Sequence, residues 1–496
     1  MADCISRGPA LLTASDFPDP SVIRAGDTYY MASTTMHFFP GCVILKSHDL
    51  IRWEICGHAF DSIDGLPLRR LENGENCYGK GMWAPSLRYH GGLFFLCFTS
   101  ADTHTTWLYR TRDIENGPWE KQQIRGYHHD PSLFFDDDGK TYIVWGNTEI
   151  RLAELNDDLT DHREGGLERI VARSHVEPYL GYEGSHLEKV NGKYYLFTIH
   201  SLATQWRRVE TCLRADRLDG EFEGGIVLND DMGYHGMGVA QGSIVDTPDG
   251  RWFAVMFQDR GAVGRTPVLI PVTWENGMPV FGTDGKIPAE AENLCTRPGW
   301  KPKPLASGDD FMSEKPEDMW GWNHEPDPEG WKTGGGSLRL TPRKVEADLM
   351  QARNMLTMRA TWPVTEAAVT VDGCALKTGD RAGLCALQAN WISVFLERTE
   401  EGFTLNWQEA GKEPVNAGKW GSAAELKLRM DFRDMRDEIT VLVKKDGEWT
   451  ALNAEPHKVR FDLKHFSGVR VGLFCQATRE EGGTAAFSDY SYEVLK

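Results

Sequence analysis

DDDGKTYIVW, residues 136–145, reads as a tight turn running into a β-strand. Its Asp-Gly pair has the backbone freedom a hairpin turn needs, and the aromatic and β-branched residues that follow suit a pleated, half-buried surface. The same arrangement occurs four more times, in RAGDTYYMAS (24–33), YHGGLFFLCF (89–98), VNGKYYLFTI (190–199) and TPDGRWFAVM (247–256). The turn glycines recur at intervals of about 48 to 65 residues, the size of a four-stranded propeller blade. A second signature follows several copies, in SHDLIRW (47–53), TRDIENGPW (111–119), LNDDLTD (155–161) and RADRLDGEF (214–222): strand end, polar turn, return strand. Amphipathic helical periodicity is weak throughout. Five copies of one unit predict a five-bladed β-propeller over residues 1–300.

At 297–310 the composition changes. RPGWKPKPLASGDD is rich in Pro, Gly and charge and reads as an exposed linker. Beyond it the repeat disappears, and segments such as GSLRLTP, TLNWQEA, LKLRMDFR, ITVLVKK and VRVGLFCQA alternate as short strands. Their spacing predicts a β-sandwich over 301–496, so the expected fold class is all-β throughout.

A chain of 496 residues favours two cores over one. The net charge of −19 disfavours nucleic acid and anionic membrane surfaces, and points to a neutral ligand. No stretch has signal-peptide or membrane-spanning character, so the expected location is cytoplasmic, with a processed exported form as the alternative. The ten cysteines are scattered, and several lie in apolar strands, as Cys97 and Cys475 do; buried thiols suit them better than a disulfide framework. Oligomeric state is not encoded in any recognisable pattern. The 17 Trp, 14 Tyr and 22 Phe suit an all-β core and also suit stacking on sugar rings.

Three carboxylates stand outside charge runs, each in its own short motif: Asp19 in DFPDPS, Asp130 in HHDPS and Glu183 in YEGSH. Taken singly, each reads more readily as a turn or surface acid. Taken together they fall near the inner strands of different blades, which converge at one end of a propeller's channel. A base, a proton donor and a third charge that tunes the donor are what hydrolysis of a glycosidic bond requires. Asp16 competes with Asp19 for the first place, although only Asp19 has proline on both sides. The acidic run Asp136–Asp138 reads as a solvated loop, and His186 as a partner for Glu183 or for substrate. Zincin, α/β-hydrolase, P-loop and dinucleotide motifs are absent, and no histidine pair has metal-ligand spacing.

With these motifs in order, the chain resembles glycoside hydrolase family 43, in particular its two-domain β-xylosidases and α-L-arabinofuranosidases. DFPDPSVIRAGDTYYMASTTMHFFPG, GMWAPSLRYHGG, HHDPSLFFDDDGKTYIVWG, YEGSHLEKVNGKYYLF, QGSIVDTPDGRWFAVM and GRTPVLIPVTWENGMPVFG carry the resemblance in the first domain. WGWNHEPDPEGW, DLMQARNMLTMRA and GDRAGLCALQ carry it in the second, where it implies a concanavalin-like sandwich. The resemblance implies an exo-acting, inverting hydrolase that releases β-D-xylose or α-L-arabinofuranose from neutral xylo- or arabino-oligosaccharides. It also implies roles: Asp19 as general base, Glu183 as general acid, and Asp130 as modulator of the donor. Trp83, Phe38 and Arg265 are implied as sugar contacts. Many members carry a histidine, often associated with calcium, where Gln241 stands here. No cofactor is therefore expected to be required; a structural or pocket calcium ion, held only weakly by an amide oxygen, stands as the alternative, and Gln241 is a substrate-pocket candidate.

Two other readings compete: a retaining fructosidase-like propeller, whose WMNDPNG-type first motif is missing here, and a catalytically silent glycan-binding protein. The sandwich reads as a carbohydrate-binding module or a structural partner that closes part of the pocket rim. Its Trp391 and Trp407 suit sugar stacking or core.

Overall fold

The computed structural model of the chain describes residues 5–174 and 179–496. Five antiparallel four-stranded sheets follow one another in chain order. Their first strands are Ser21–Ala25, Met82–His90, Ser132–Phe135, Glu183–Val190 and Val239–Asp246, heading blades one to five. Every glycine turn singled out in the sequence closes the hairpin between the first and second strand of its blade. In blade four the loop is Asn191-Gly192, both with positive φ, which matches the twist of the flanking strands. The second signature marks the turn from third to fourth strand in blades one to four; blade five makes that turn at Asn276-Gly277. The strand Ile5–Pro9 pairs antiparallel with Glu290–Leu294, so the two ends of the propeller are sewn together.

Blades are joined by a ring of serine hydroxyls on the first strands. Ser243 accepts from the backbone N–H of Val22 at 2.9 Å, Ser21 from Leu87 at 2.9 Å, Ser86 from Leu133 at 3.0 Å and Ser132 from Leu187 at 3.4 Å. Each bond reaches from one blade to the next, to the residue just past the position that corresponds to its serine. All four hydroxyls are fully buried, where an unmade hydrogen bond is expensive. In blade four the corresponding position is His186, directly before Leu187, so the serine pattern is interrupted there.

After the stretch 297–310, which faces solvent but is pinned to blade one through Lys303 N–H and Glu54 (2.7 Å), two eight-stranded antiparallel sheets pack face to face. Between them lies an apolar core that includes Leu384, Val394, Leu426, Leu428, Val441 and Leu473. The edge strand of one of these sheets is Phe38–Phe39, donated by blade one and paired with Trp322 and Asn323. The sandwich therefore includes two residues of the propeller sequence.

Asp16 fastens the two parts more tightly. Its carboxylate accepts from the backbone N–H of Arg265 and of Gly468, both at 2.8 Å, and its carbonyl accepts from Arg359 Nε at 2.8 Å. Gly468 is obligatory at this crossing, because a Cβ there would lie 1.9 Å from the carbonyl oxygen of Val263. Nearby, the buried rings of His37, His324, His465 and Tyr78 pack between the domains with centroids 4.5–5.3 Å apart. Burial holds all three imidazoles far below the usual histidine range, hence neutral.

Two stability predictions follow from these bonds. Ser86→Ala leaves the Leu133 N–H buried without a partner and should cost about 1–3 kcal/mol in urea unfolding. Asp16→Ala strands two such groups and should cost about 2–5 kcal/mol. A loss under about 0.5 kcal/mol in either variant would show that the bond in question does not hold the fold.

Candidate active site

Asp19, Asp130 and Gln241 each stand two residues before the ring serine of their blade, and each has a left-handed backbone, with φ of 52°, 46° and 56°. The same turn in blade four is taken by Gly184 (φ 60°), with Glu183 just ahead of it. Glycine is needed there because a Cβ would meet the Gln241 side chain at 2.6 Å. In blade two Ala84 (φ 27°) holds the same place before Ser86, so all five blades present a left-handed turn at one end of the channel, three of them bringing an acid with it.

The acids meet. Asp19 is buried; Arg265 Nη1 donates to its Oδ1 and Thr34 Oγ1 to its Oδ2, both at 2.7 Å. Its carboxyl is raised by burial, partly offset by the Arg265 charge and the Thr34 bond. Asp130 is also buried and accepts from Gly184 N–H at 3.0 Å. Burial pushes it up to about 6; His129 opposes the rise, while Glu183 and Asp19 add to it. Between the two blades stands His129, whose Nε2 lies 3.2 Å from Glu183 Oε2 and 3.6 Å from Asp130 Oδ2. The neighbouring Asp130 charge, with Glu183 and Asp19, raises this imidazole to about 9 against the penalty of burial. Asn147 Nδ2 also donates to Glu183 Oε2, at 2.7 Å. Both donors use one oxygen of Glu183, leaving Oε1 for other chemistry.

The competition between Asp16 and Asp19 is resolved by the hydrogen bonds: Asp16 is taken up by backbone N–H groups at the domain junction, and Asp19 joins the cluster. Arg265 joins it too. Its Nε and Nη2 are buried with no hydrogen-bond partner, so the guanidinium has donors to spare. Trp83 packs edge-on against His129 (6.1 Å between centroids) and against Phe466 (5.7 Å). Gln241 is buried beside Gly184, its backbone N–H bonded to Glu210 at 2.9 Å.

Three expectations need correction. Phe38 does not offer its ring to a ligand: it is 2% exposed, in the edge strand at the domain junction, with the Arg470 guanidinium 3.5 Å from its ring centre. His186 does not pair with Glu183, whose bonds come from His129 and Asn147. It is 6% exposed at the interrupted serine position, and burial, helped by Arg88, lowers it to about 3, so it is neutral. Asp136 is not a solvated loop residue; it is buried and bonded to Tyr194 Oη (2.7 Å) and Lys189 Nζ (2.5 Å). Trp391 is buried in a core cluster and Trp407 packs against the sandwich core, so both are structural.

The residues absent from the sequence-based list are His129, Asn147, Thr34 and Phe466. His129 had a signal, since HHDPS sets it next to Asp130. Phe466 had none. It belongs to a sandwich loop that crosses to the propeller face, has a left-handed backbone (φ 55°), and lies under the Arg265 guanidinium at 4.7 Å. The sandwich therefore supplies one wall beside the cluster. His129, Asp130 and Glu183 offer one ligand atom each within 4.8 Å of one another, but the imidazolium already supplies the positive charge and the atoms already bond among themselves.

The comparisons agree with this architecture. The profile of glycosyl hydrolases family 43 matches residues 12–279, and that of the β-xylosidase C-terminal concanavalin A-like domain matches residues 308–493. A β-xylosidase of Formosa agariphila is 28% identical, over 97% of this chain and 89% of its own length. A xylosidase/arabinosidase of Butyrivibrio fibrisolvens is 31% identical, over 56% of this chain and 57% of its own. Among solved structures, a bifunctional GH43-CE protein of Bacteroides eggerthii superimposes with a TM-score of 0.91 at 38% identity; the match covers 99% of this chain and 64% of that longer one. The propeller, the acids gathered at its channel and the family match over more than half of the chain lead to one assignment: this protein is a glycoside hydrolase and belongs to glycosyl hydrolases family 43.

Proposed function

We propose that the chain removes a terminal pentose, β-D-xylose or α-L-arabinofuranose, from neutral xylo- or arabino-oligosaccharides with inversion at the anomeric carbon. The observation that carries this reading is the gathering of Asp19, Asp130 and Glu183 from three blades around two cations, Arg265 and His129. The hydrogen bonds from His129 and Asn147 both fall on Oε2 of Glu183, which suits the other oxygen, Oε1, to the part of proton donor.

In this scheme Asp19 takes a proton from a water as that water attacks the anomeric carbon. Glu183 delivers its proton from Oε1 to the departing oxygen. Asp130 holds the turn at Gly184 and keeps negative charge beside the donor, while Arg265 uses its spare N–H groups on sugar hydroxyls. The glycosyl group passes from the departing oxygen to the water oxygen with no change of oxidation state, and the scheme assigns both proton transfers to side chains. Each proton transfer contributes about 10²–10⁴ in rate.

Glu183→Gln should lower kcat on xylobiose by about 10²–10⁴ but lower it far less on a dinitrophenyl pentoside, whose leaving group needs no proton. Equal losses on both would remove Glu183 from the donor role. A panel of aryl xylosides and arabinofuranosides identifies the sugar, and NMR of the first-formed anomer reads the stereochemistry; a retained configuration would rule out the single displacement.

The pH profile gives a second check. Asp130 acts as an anion, so kcat/KM should rise with pH through about 6 as it ionises. The positive charge of His129 favours that ionised form. His129→Phe should therefore move the acid limb to higher pH, and a shift to lower pH or none would show that His129 does not hold the charge of Asp130.

A further inference from the structure

Of the 17 tryptophans, all in described segments, Trp206 alone is exposed. It is 48% open, and Tyr179, 39% open, meets it edge-on with ring centroids 6.4 Å apart. Tyr89 is the one other exposed large aromatic among the described residues. Isolated exposed aromatics are common, but two of three meeting at one spot suggest a surface that a ligand covers.

Their place in blade four gives that ligand an identity. Trp206 lies in the loop between the strands Lys193–Ser201 and Arg208–Ala215, at the same end of the blade as Glu183, which pairs with Ile199 near the end of the first of these strands. Tyr179 lies four residues before Glu183. Its neighbour Leu180 exchanges hydrogen bonds with Ser201, where the Trp206 loop begins: Leu180 N–H donates to Ser201 Oγ at 3.2 Å, and Ser201 N–H donates to Leu180 O at 3.0 Å. The pair thus stands on the rim next to the proton donor. It is also continuous with the opposite side of the site. The Arg208 guanidinium packs on Trp206 at 5.7 Å and on Phe257 at 5.0 Å, Phe257 carries Arg265 at 5.4 Å, and Arg265 bonds Asp19. Arg208 is itself anchored by Asp259 at 3.3 Å, which holds its side chain in place against the indole.

We propose that Trp206 and Tyr179 form a stacking platform for a sugar ring on the leaving-group side of the cleaved bond. A proton donor faces the departing oxygen, so the sugar that departs lies on the donor's side of the pocket, where this rim stands. A xylopyranose ring has two apolar faces of C–H groups, and an indole offers a matching flat surface that is costly to leave in water. The platform leaves the terminal pentose untouched and selects for oligosaccharides over small glycosides. This inference rests on the reading of Glu183 as the donor and of a terminal pentose as the sugar released.

The test compares xylotriose with β-xylosyl fluoride, whose leaving group carries no sugar; arabinotriose and α-L-arabinofuranosyl fluoride replace them if the wild type prefers arabinofuranose. Trp206→Ala should lower the ratio of kcat/KM on the trisaccharide to that on the fluoride by about fivefold to tenfold, through KM. Trp206→Phe should restore most of the ratio, and Tyr179→Ala should lower it less. An unchanged ratio in Trp206→Ala overturns the platform, as does a loss that Trp206→Phe fails to recover. A wild type that cleaves neither pentoside overturns the underlying functional reading, and the platform with it.

Discussion

The serine hydroxyls that tie each inner strand to its neighbour are the constraint on which this molecule is built. A propeller blade is a small twisted sheet with little reason of its own to stand at a set height against the next one. Sheet-to-sheet packing is apolar and tolerates sliding, whereas a buried hydroxyl bonded to a particular backbone N–H does not. Ser243, Ser21, Ser86 and Ser132 make four such bonds in succession, each to the residue one past the homologous position. Because Asp19 and Asp130 stand a fixed two residues ahead of their serines, levelling the serines also levels the acids. Fold and site share one set of bonds.

Blade four departs from that pattern where the chemistry is concentrated. His186 occupies the serine position, Gly184 takes the left-handed turn, and Glu183 moves one residue ahead of the place that Asp19 and Asp130 hold in their own blades. The shift brings its carboxylate to His129 and Asn147, while Asp130 accepts the Gly184 N–H. Two buried acids with a half-buried third beside them would be costly if all were charged without compensation. Arg265 and His129 provide that compensation, one beside Asp19 and the other between Asp130 and Glu183. The sandwich takes part as well, since its Phe466 closes a wall against Trp83 and Arg265, and Asp16 locks the loop that carries it.

The blades were legible because hairpin chemistry is local: DG, NG and GG before an aromatic strand specify a turn wherever they occur. The three acids were legible because each sits in a short motif at the head of its blade's first strand. Phe38 was misjudged because nothing local distinguishes an aromatic that lines a pocket from one that completes the edge of a distant sheet. Asp136 was misjudged for a similar reason, since its partners Lys189 and Tyr194 belong to the next blade.

The amino-acid sequence alone therefore determined the number of repeats, the all-β character, the change of architecture after about residue 300, and which acids to examine. These follow from periodicity and turn chemistry, which act over a few residues. Only the tertiary structure decided which of Asp16 and Asp19 joins the acid cluster, that His129 carries the compensating charge, and that the second domain reaches the site. Those outcomes depend on distances between atoms far apart in the chain, such as the 452 residues separating Asp16 from Gly468, and on burial that no short stretch of sequence encodes.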